Sequence, residues 1–294
     1  MKKVTHVAQA SSPALTIRTL TEQDIPAVNL LLKAAYGDAE NRIPRIERYQ
    51  RLQPDGWFLA VLNDVPAGVV GAIDYGPFAY SGLLGIHPYA QRKGVGTALM
   101  TQMMDWLDQR RCPMVFVDAT SASVPLYRKL GFVIDDKVTL YQLDPVRPSM
   151  VAPTGVRPLS AEDIPALSAF DAPFFGAVRS AVLKAVLAEC PDRAFVAYDD
   201  HEQITGYLFA QANVLGPWAA SSPAVAEALL VAGLPCYAGR AARVIVPGAN
   251  TSARALLQRY GFQPQDERRH LRRGGTTHPG DRTRLYAQVS FVIG

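Results

Sequence analysis

The chain has 294 residues, 49% of them hydrophobic and 19% charged, with 30 Lys+Arg against 26 Asp+Glu. That is long for one compact core, so two domains are expected, and no apolar run is long enough to cross a bilayer. A net charge of +4 argues against a nucleic-acid-binding surface. The distant cysteines Cys112, Cys190 and Cys236 form neither a disulfide framework nor a metal-ligand spacing, which fits a reducing, cytoplasmic setting.

The opening "MKKVTHVAQASSPA" has lysines but no apolar stretch behind them, so residues 1–14 read as a disordered lead-in and not as a secretory signal. A strand over 15–20 leads to Thr21 and Asp24, paired helix-start signals, and then to two helices. "WFLAVLNDVPAGVVGAIDY" reads as strand, Asn63-Asp64 turn, strand. A strand over 80–86, a helix over 94–110, a strand over 114–118, a helix over 124–130 and final strands complete the pattern.

The plan then repeats. "IRTLTEQDIPAV" from Ile17 returns as "VRPLSAEDIPAL" from Val156, a second hairpin turns at Asp199-Asp200, and "PLYRKLGF" is matched by "ALLQRYGF". The chain is a tandem duplication of α/β (α+β) modules, each a mixed, mostly antiparallel sheet with helices on both faces. The first spans 15–146, a proline-rich linker 147–155 and the second 156–294. The basic run "DERRHLRRGG" over 266–275 has no aromatic residues between its arginines and reads as a solvated strand or turn.

"QRKGVG" puts Gly94 and Gly96 at a helix start, where unpaired N–H groups and the helix dipole attract a phosphate and the missing Cβ atoms let it approach. The run Ile86-His87-Pro88 followed by Gln91-Arg92-Lys93-Gly94-Val95-Gly96 resembles the pyrophosphate loop of the GNAT superfamily of acyl-CoA-dependent N-acyltransferases. Tyr127, four positions before Gly131-Phe132, matches that family's closing signature.

The resemblance implies an N-acetyltransferase with acetyl-CoA as co-substrate and no metal, the pantetheine arm lying between splayed strands at 83–86 and 114–118. It implies donor contacts from Leu84, Ile86, Gln91, Arg92, Lys93, Gly94, Val95, Gly96 and Thr97. A backbone N–H near Ile86 would polarise the thioester, and Tyr127 would protonate the leaving thiolate. The base for the amine stays open among His87, Asp74, Tyr80 and Asp118. The expected acceptor is a small-molecule or peptide amine, with no nucleic-acid or membrane partner. Thr120 departs from the family pattern, which often has asparagine there.

The second module has lost this equipment. "NVLGPWAASSPAVAEALL" has no glycine loop, Leu257 stands where the tyrosine should, and only Asn250 is kept. Ser221 and Ser222 before Pro223 are expected to cap their own helix, leaving little for a pyrophosphate. This half resembles the degenerate C-terminal module of YitH-like tandem acetyltransferases, which implies a structural or substrate-shaping role. The alternative is a non-catalytic acyl-CoA-binding regulatory protein; the acceptor and the oligomeric state stay open.

Overall fold

The computed structural model describes residues 14–146 and 155–294. The expected lead-in and linker lie outside the described residues, apart from Ala14 and Gly155. Two compact units organise the chain: one runs to Gly71 and resumes over Leu83–Trp106, the other joins Ala72–Gly82 to Leu107–Gly294.

In the first unit β1 (Leu15–Thr19) leads through a short 3-10 turn to α1 (Ile25–Tyr36). The chain turns helical there because Thr21 and Asp24 form a capping box, Asp24 accepting from Thr21 N at 2.9 Å and Oγ1 at 2.8 Å. Arg18 grips the same carboxylate with two hydrogen bonds of 2.6 Å. After α2 (Ile43–Leu52), β2 (Trp57–Leu62) turns through Asn63 and Asp64, φ 51° and 64°, into β3 (Val65–Asp74). That pair of left-handed residues gives the twist a two-residue hairpin needs. β4 (Ala79–Ile86) and α3 (Val95–Gln109) follow, and the strand order is β1-β2-β3-β4. Val28, Leu32, Leu59, Val69 and Leu99 form the core, with the Trp57 ring stacked on Tyr49 at 5.3 Å.

The second unit takes the first residues of β4 and continues with β5 (Val115–Ala119), α4 (Val124–Lys129) and β6 (Val133–Leu143). The repeat then begins: β7 (Val156–Pro158), α5 (Ile164–Phe175), α6 (Ser180–Glu189), β8 (Ala194–Tyr198) and β9 (Ile204–Ala210). It ends with β10 (Leu215–Ala220), α7 (Pro223–Gly233), β11 (Ala242–Pro247), α8 (Thr251–Arg259), β12 (Gln263–Arg273) and β13 (Leu285–Ala287). The capping device recurs, Ser160 with Asp163 and Arg157 on Asp163. The second hairpin turn is longer than Asp199-Asp200, because Asp199 Oδ1 accepts from the N–H groups of both His201 and Gln203 at 2.9 Å. Leu208, Trp218, Leu229, Leu230, Leu257 and Phe262 build the core beneath α7 and α8. Each such side chain contributes roughly 1.5–3 kcal/mol on burial.

Here the strand order is β4-β5-β12-β6-β11-β10-β9-β8-β7, with β13 beside β10. Among the described strands of this unit, β4/β5 and β10/β11 pair in parallel, one such pair per copy. The closing strands are exchanged: β6 of the first copy pairs with β11 of the second, and β12 of the second copy lies between β5 and β6 of the first. The basic run over 266–275 forms a largely solvated strand up to Arg273, as expected, but one that lies between β5 and β6 within the sheet. Its arginines meet carboxylates (Arg268 with Asp266, Arg269 with Glu267, Arg272 with Asp135), while His270 and Leu271 are buried.

Candidate active site

In the first unit, the chain leaves β4 through a 3-10 turn over Pro88–Ala90 and enters α3 through Gln91 to Gly94. Arg92 and Gly94 are both left-handed, φ 60° and 80°. A Cβ at Gly94 would meet no atom within 4 Å, so open space stands beside this backbone. Gly96 lies in the first turn of α3, where the N–H groups lack intrahelical partners. Arg92, Lys93 and Thr97 are exposed, Val95 is buried, and the Gln91 amide donates to Ile86 O at 3.3 Å. Leu84 and Ile86 are half-buried, and Tyr36 donates to Leu84 O at 3.4 Å. Leu83 is left-handed at φ 60° without being glycine, a conformation that costs about 1–3 kcal/mol. The residues expected to cradle a pyrophosphate are thus assembled at one helix start.

The expected bases part company. His87 holds the 3-10 turn, its Nδ1 accepting from Tyr89 N at 3.4 Å and its ring lying 4.7 Å from that of Tyr89. Asp74 pairs with Arg110 at 3.1 Å and accepts from Gly76 N. Tyr80 and Asp118 come together in the second unit, where the Tyr80 hydroxyl donates to Asp118 Oδ2 at 2.6 Å. Parallel pairing of Tyr80 with Phe116 sets that meeting.

A third member arrives from the other copy. The β5/β12 register puts His270 opposite Asp118, and its Nδ1 lies 2.8 Å from Asp118 Oδ1. Gln288 adds a fourth, donating to Tyr80 Oη at 2.6 Å and to Asp118 Oδ2 at 3.2 Å. All four side chains are buried. Burial and the Asp118 charge push the Tyr80 hydroxyl well above its ordinary pKa, so it stays a donor. Burial and the neighbouring Arg282 lower the His270 pKa, holding the ring neutral. With Nδ1–H donating to the carboxylate, Nε2 is left with its lone pair. That is the orientation of a base whose far nitrogen is held by an acid.

Phe116 lies against two imidazoles, His270 at 5.0 Å and His278 at 4.5 Å between ring centres. Burial and Arg282 push His278 down to about 3. Arg282 contacts Asp136 through Nη1 at 3.3 Å. Sequence reasoning missed His270, His278, Arg282 and Gln288. The one local signal was a histidine inside a long strand pattern, which the arginines around it disguised.

Tyr127 is buried on α4, its ring edge-on to Phe132 at 5.4 Å. Thr120 shares a 3.1 Å hydrogen bond with Ser123. In the second copy, Asn250 caps α8, accepting from Ala253 N at 2.8 Å and donating to Leu285 O at 3.2 Å, so its amide is committed to structure. Ser222 caps α7 by accepting from Val225 N at 3.3 Å, with Pro223 at the first turn. Among the described residues no cluster of three His, Cys, Asp or Glu could hold a metal, and no single helix is long and apolar enough to cross a membrane.

Comparison with known proteins agrees with this architecture. The profile of the Acetyltransferase (GNAT) family matches residues 25–132, and that of an acetyltransferase (GNAT) domain matches residues 167–287. Holothin acyltransferase of Pseudoalteromonas sp. (strain SANK 73390) is 30% identical over 140 residues, 47% of this chain and 46% of that one. Mycothiol acetyltransferase of Acidothermus cellulolyticus is 37% identical over 98 residues, 27% of this chain and 30% of that one. The chain thus spans less than half the length of either relative. A Pyrococcus horikoshii crystal structure, described provisionally as an acetyltransferase, aligns at TM-score 0.84 and 25% identity over 99% of both chains. With both copies matched separately, the chain belongs to the GNAT acetyltransferase family as two domains in tandem.

Proposed function

We propose that the protein is an N-acetyltransferase that moves an acetyl group from acetyl-CoA to a primary amine by direct attack. In this reading the first module, 15–146, holds the acyl donor, and the second, 156–294, shapes the acceptor side. The observation that carries it is the entry to α3, where Gly94 is left-handed and the space beside it is open. A pyrophosphate fits such a start: backbone N–H groups between Arg92 and Thr97 face it, and Arg92 and Lys93 add charge. Leu84 and Ile86 flank the pantetheine arm, and an N–H near Ile86 polarises the thioester carbonyl. Tyr127 returns a proton to the thiolate, a role open to a phenol hydroxyl. Since no covalent enzyme intermediate is needed, positioning supplies much of the acceleration.

Family membership supports the acyl-CoA chemistry, and relatives named for holothin and mycothiol support a small-molecule acceptor. The test is thiol release from acetyl-CoA across a panel of primary amines, beside acetyl-CoA binding. Binding with amine-dependent release is expected. Binding without release from any amine would favour a regulatory acyl-CoA-binding protein, and no binding would end the proposal.

A further inference from the structure

The parallel strands β10 and β11 meet at Leu215 and Val244, and past that point β13 stands in the fork between them. It runs antiparallel to β10, with Ala287 opposite Trp218 and Leu285 opposite Ala219, while β9 covers the other edge of β10. On the far side Gln288 N donates to Ile245 O of β11 at 2.9 Å. Leu285, Tyr286 and Ala287 are all buried, so this short strand pairs backbone that two diverging strands would otherwise leave orphaned. The fork is shaped for a chain lying in it. Gly216 has a φ of 144°, a state that favours glycine, and a Cβ there would collide with Gln288 O. Two side-chain amides grip the filler's carbonyls: Asn250 Nδ2 donates to Leu285 O and Gln211 Nε2 to Val289 O, both at 3.2 Å. These hydrogen bonds all go to main chain, so an extended chain of amides offering the same groups would meet the same partners.

We infer that the β10/β11 fork is a cleft for an extended amide chain and that β13 is its built-in ligand, closing it to others. The outside ligand of matching chemistry is the pantetheine arm of an acyl-CoA, a flexible chain with two amide groups, and this choice rests on the acyl-transfer reading above. Because β13 belongs to the same polypeptide, it competes at an effective concentration of roughly millimolar or more, and a free chain meets a closed cleft. The second copy has thus lost more than a glycine loop: its own strand takes the space of the arm. Closure also reaches the first copy's strands. Gln288 follows directly on β13 and donates to Tyr80 Oη and Asp118 Oδ2, so a filler lifted from the fork withdraws its amide from that pair.

The test uses the full chain and free pantetheine, with hydrogen exchange read by mass spectrometry. Two variants loosen β13 from opposite sides. Asn250→Asp keeps the α8 cap, since a carboxylate oxygen also accepts from Ala253 N, but sets a repelling oxygen where the donor to Leu285 O was. Gly216→Ala puts a methyl group where Gln288 O lies. In each, amides over 285–289 should exchange about ten- to a hundred-fold faster than in the wild type, while β8 and β9 keep their protection. Pantetheine at about ten times its dissociation constant should then slow exchange of β10 and β11 by about tenfold in the variants and leave the wild type unchanged. Unchanged exchange over 285–289 in both variants, no pantetheine protection once β13 has loosened, or equal protection in the wild type would each overturn the inference. If one substitution also exposes β8 and β9, the other decides; if both do, β13 is core and not a separable ligand, which overturns it too. Acetyl-CoA binding by the wild type, measured alongside, separates the failures. Binding without pantetheine protection of the fork sinks this inference alone; no binding sinks the acyl-transfer reading and with it the choice of pantetheine.

Discussion

α3 and α7 follow equivalent strands, β4 and β10, each of which runs parallel to the strand after its helix, yet they start in opposite ways. At α3 the chain enters through left-handed Arg92 and Gly94 with open space beside the glycine. At α7 the Ser222 hydroxyl accepts from Val225 N, and Pro223 removes a donor. In the proposed reading the first helix start is left open to an anion, whereas at the second Ser222 takes up the Val225 N–H. The two copies thus share a fold but differ at this helix start, and the proposed function divides the chemistry between them accordingly.

Gly94→Asn sharpens the contrast most. Asparagine tolerates the left-handed region, so the backbone survives while a side chain enters the open space. Acetyl-CoA affinity should fall by about 100-fold, the worth of two lost charge-assisted contacts, as read by calorimetry. Tyr127→Phe comes next, with turnover falling by about ten- to a thousand-fold and acetyl-CoA affinity held. Its counterpart Leu257 is fully buried, so Leu257→Ala should instead cost about 2–5 kcal/mol of stability. Wild-type turnover in Tyr127→Phe would return that side chain to packing.

Ser222→Ala should cost about 1 kcal/mol in urea unfolding and leave acetyl-CoA affinity unchanged, because its hydroxyl serves only the helix. The smallest effects test what the two copies share. Hydrogen bonding from Arg18 and from Arg157 holds Asp24 and Asp163 well below the ordinary carboxylate range. A depressed pKa gives stability that is present above the unfolded value, about 4, and fades as pH falls through the folded one. Arg18→Met and Arg157→Met should thus each cost under about 1 kcal/mol at pH 7, given half-exposed arginines, and less in acid. A cost that grows in acid would contradict this.

Much of this was legible locally. Thr21 with Asp24, Asn63-Asp64, Gly94 and the Gly-Phe helix ends each fix their own backbone, so period and turn chemistry located the elements within a residue or two. Tyr80 and Asp118 were recognisable as candidates because both stand near the middle of the first module. Their partner was not. His270 is 152 positions from Asp118, and only the exchange of β6 and β12 between copies brings them together. No short-range pattern encodes which copy's last strand pairs with β5. Exchange also placed the arginine run between two strands of the first copy while its side chains stay at least partly exposed, paired with Asp135, Asp266 and Glu267. Asn250, at a cofactor-side position of the family pattern, serves here as the cap of α8, its Oδ1 accepting from Ala253 N.

The division of labour is tested most directly by counting. Titration of the full chain with acetyl-CoA in a calorimeter should saturate near one equivalent, and the Gly94→Asn variant, shown folded by circular dichroism, should lack that tight site. A stoichiometry near two, or tight binding that survives the Gly94 change, would mean that the second copy is itself a working donor site.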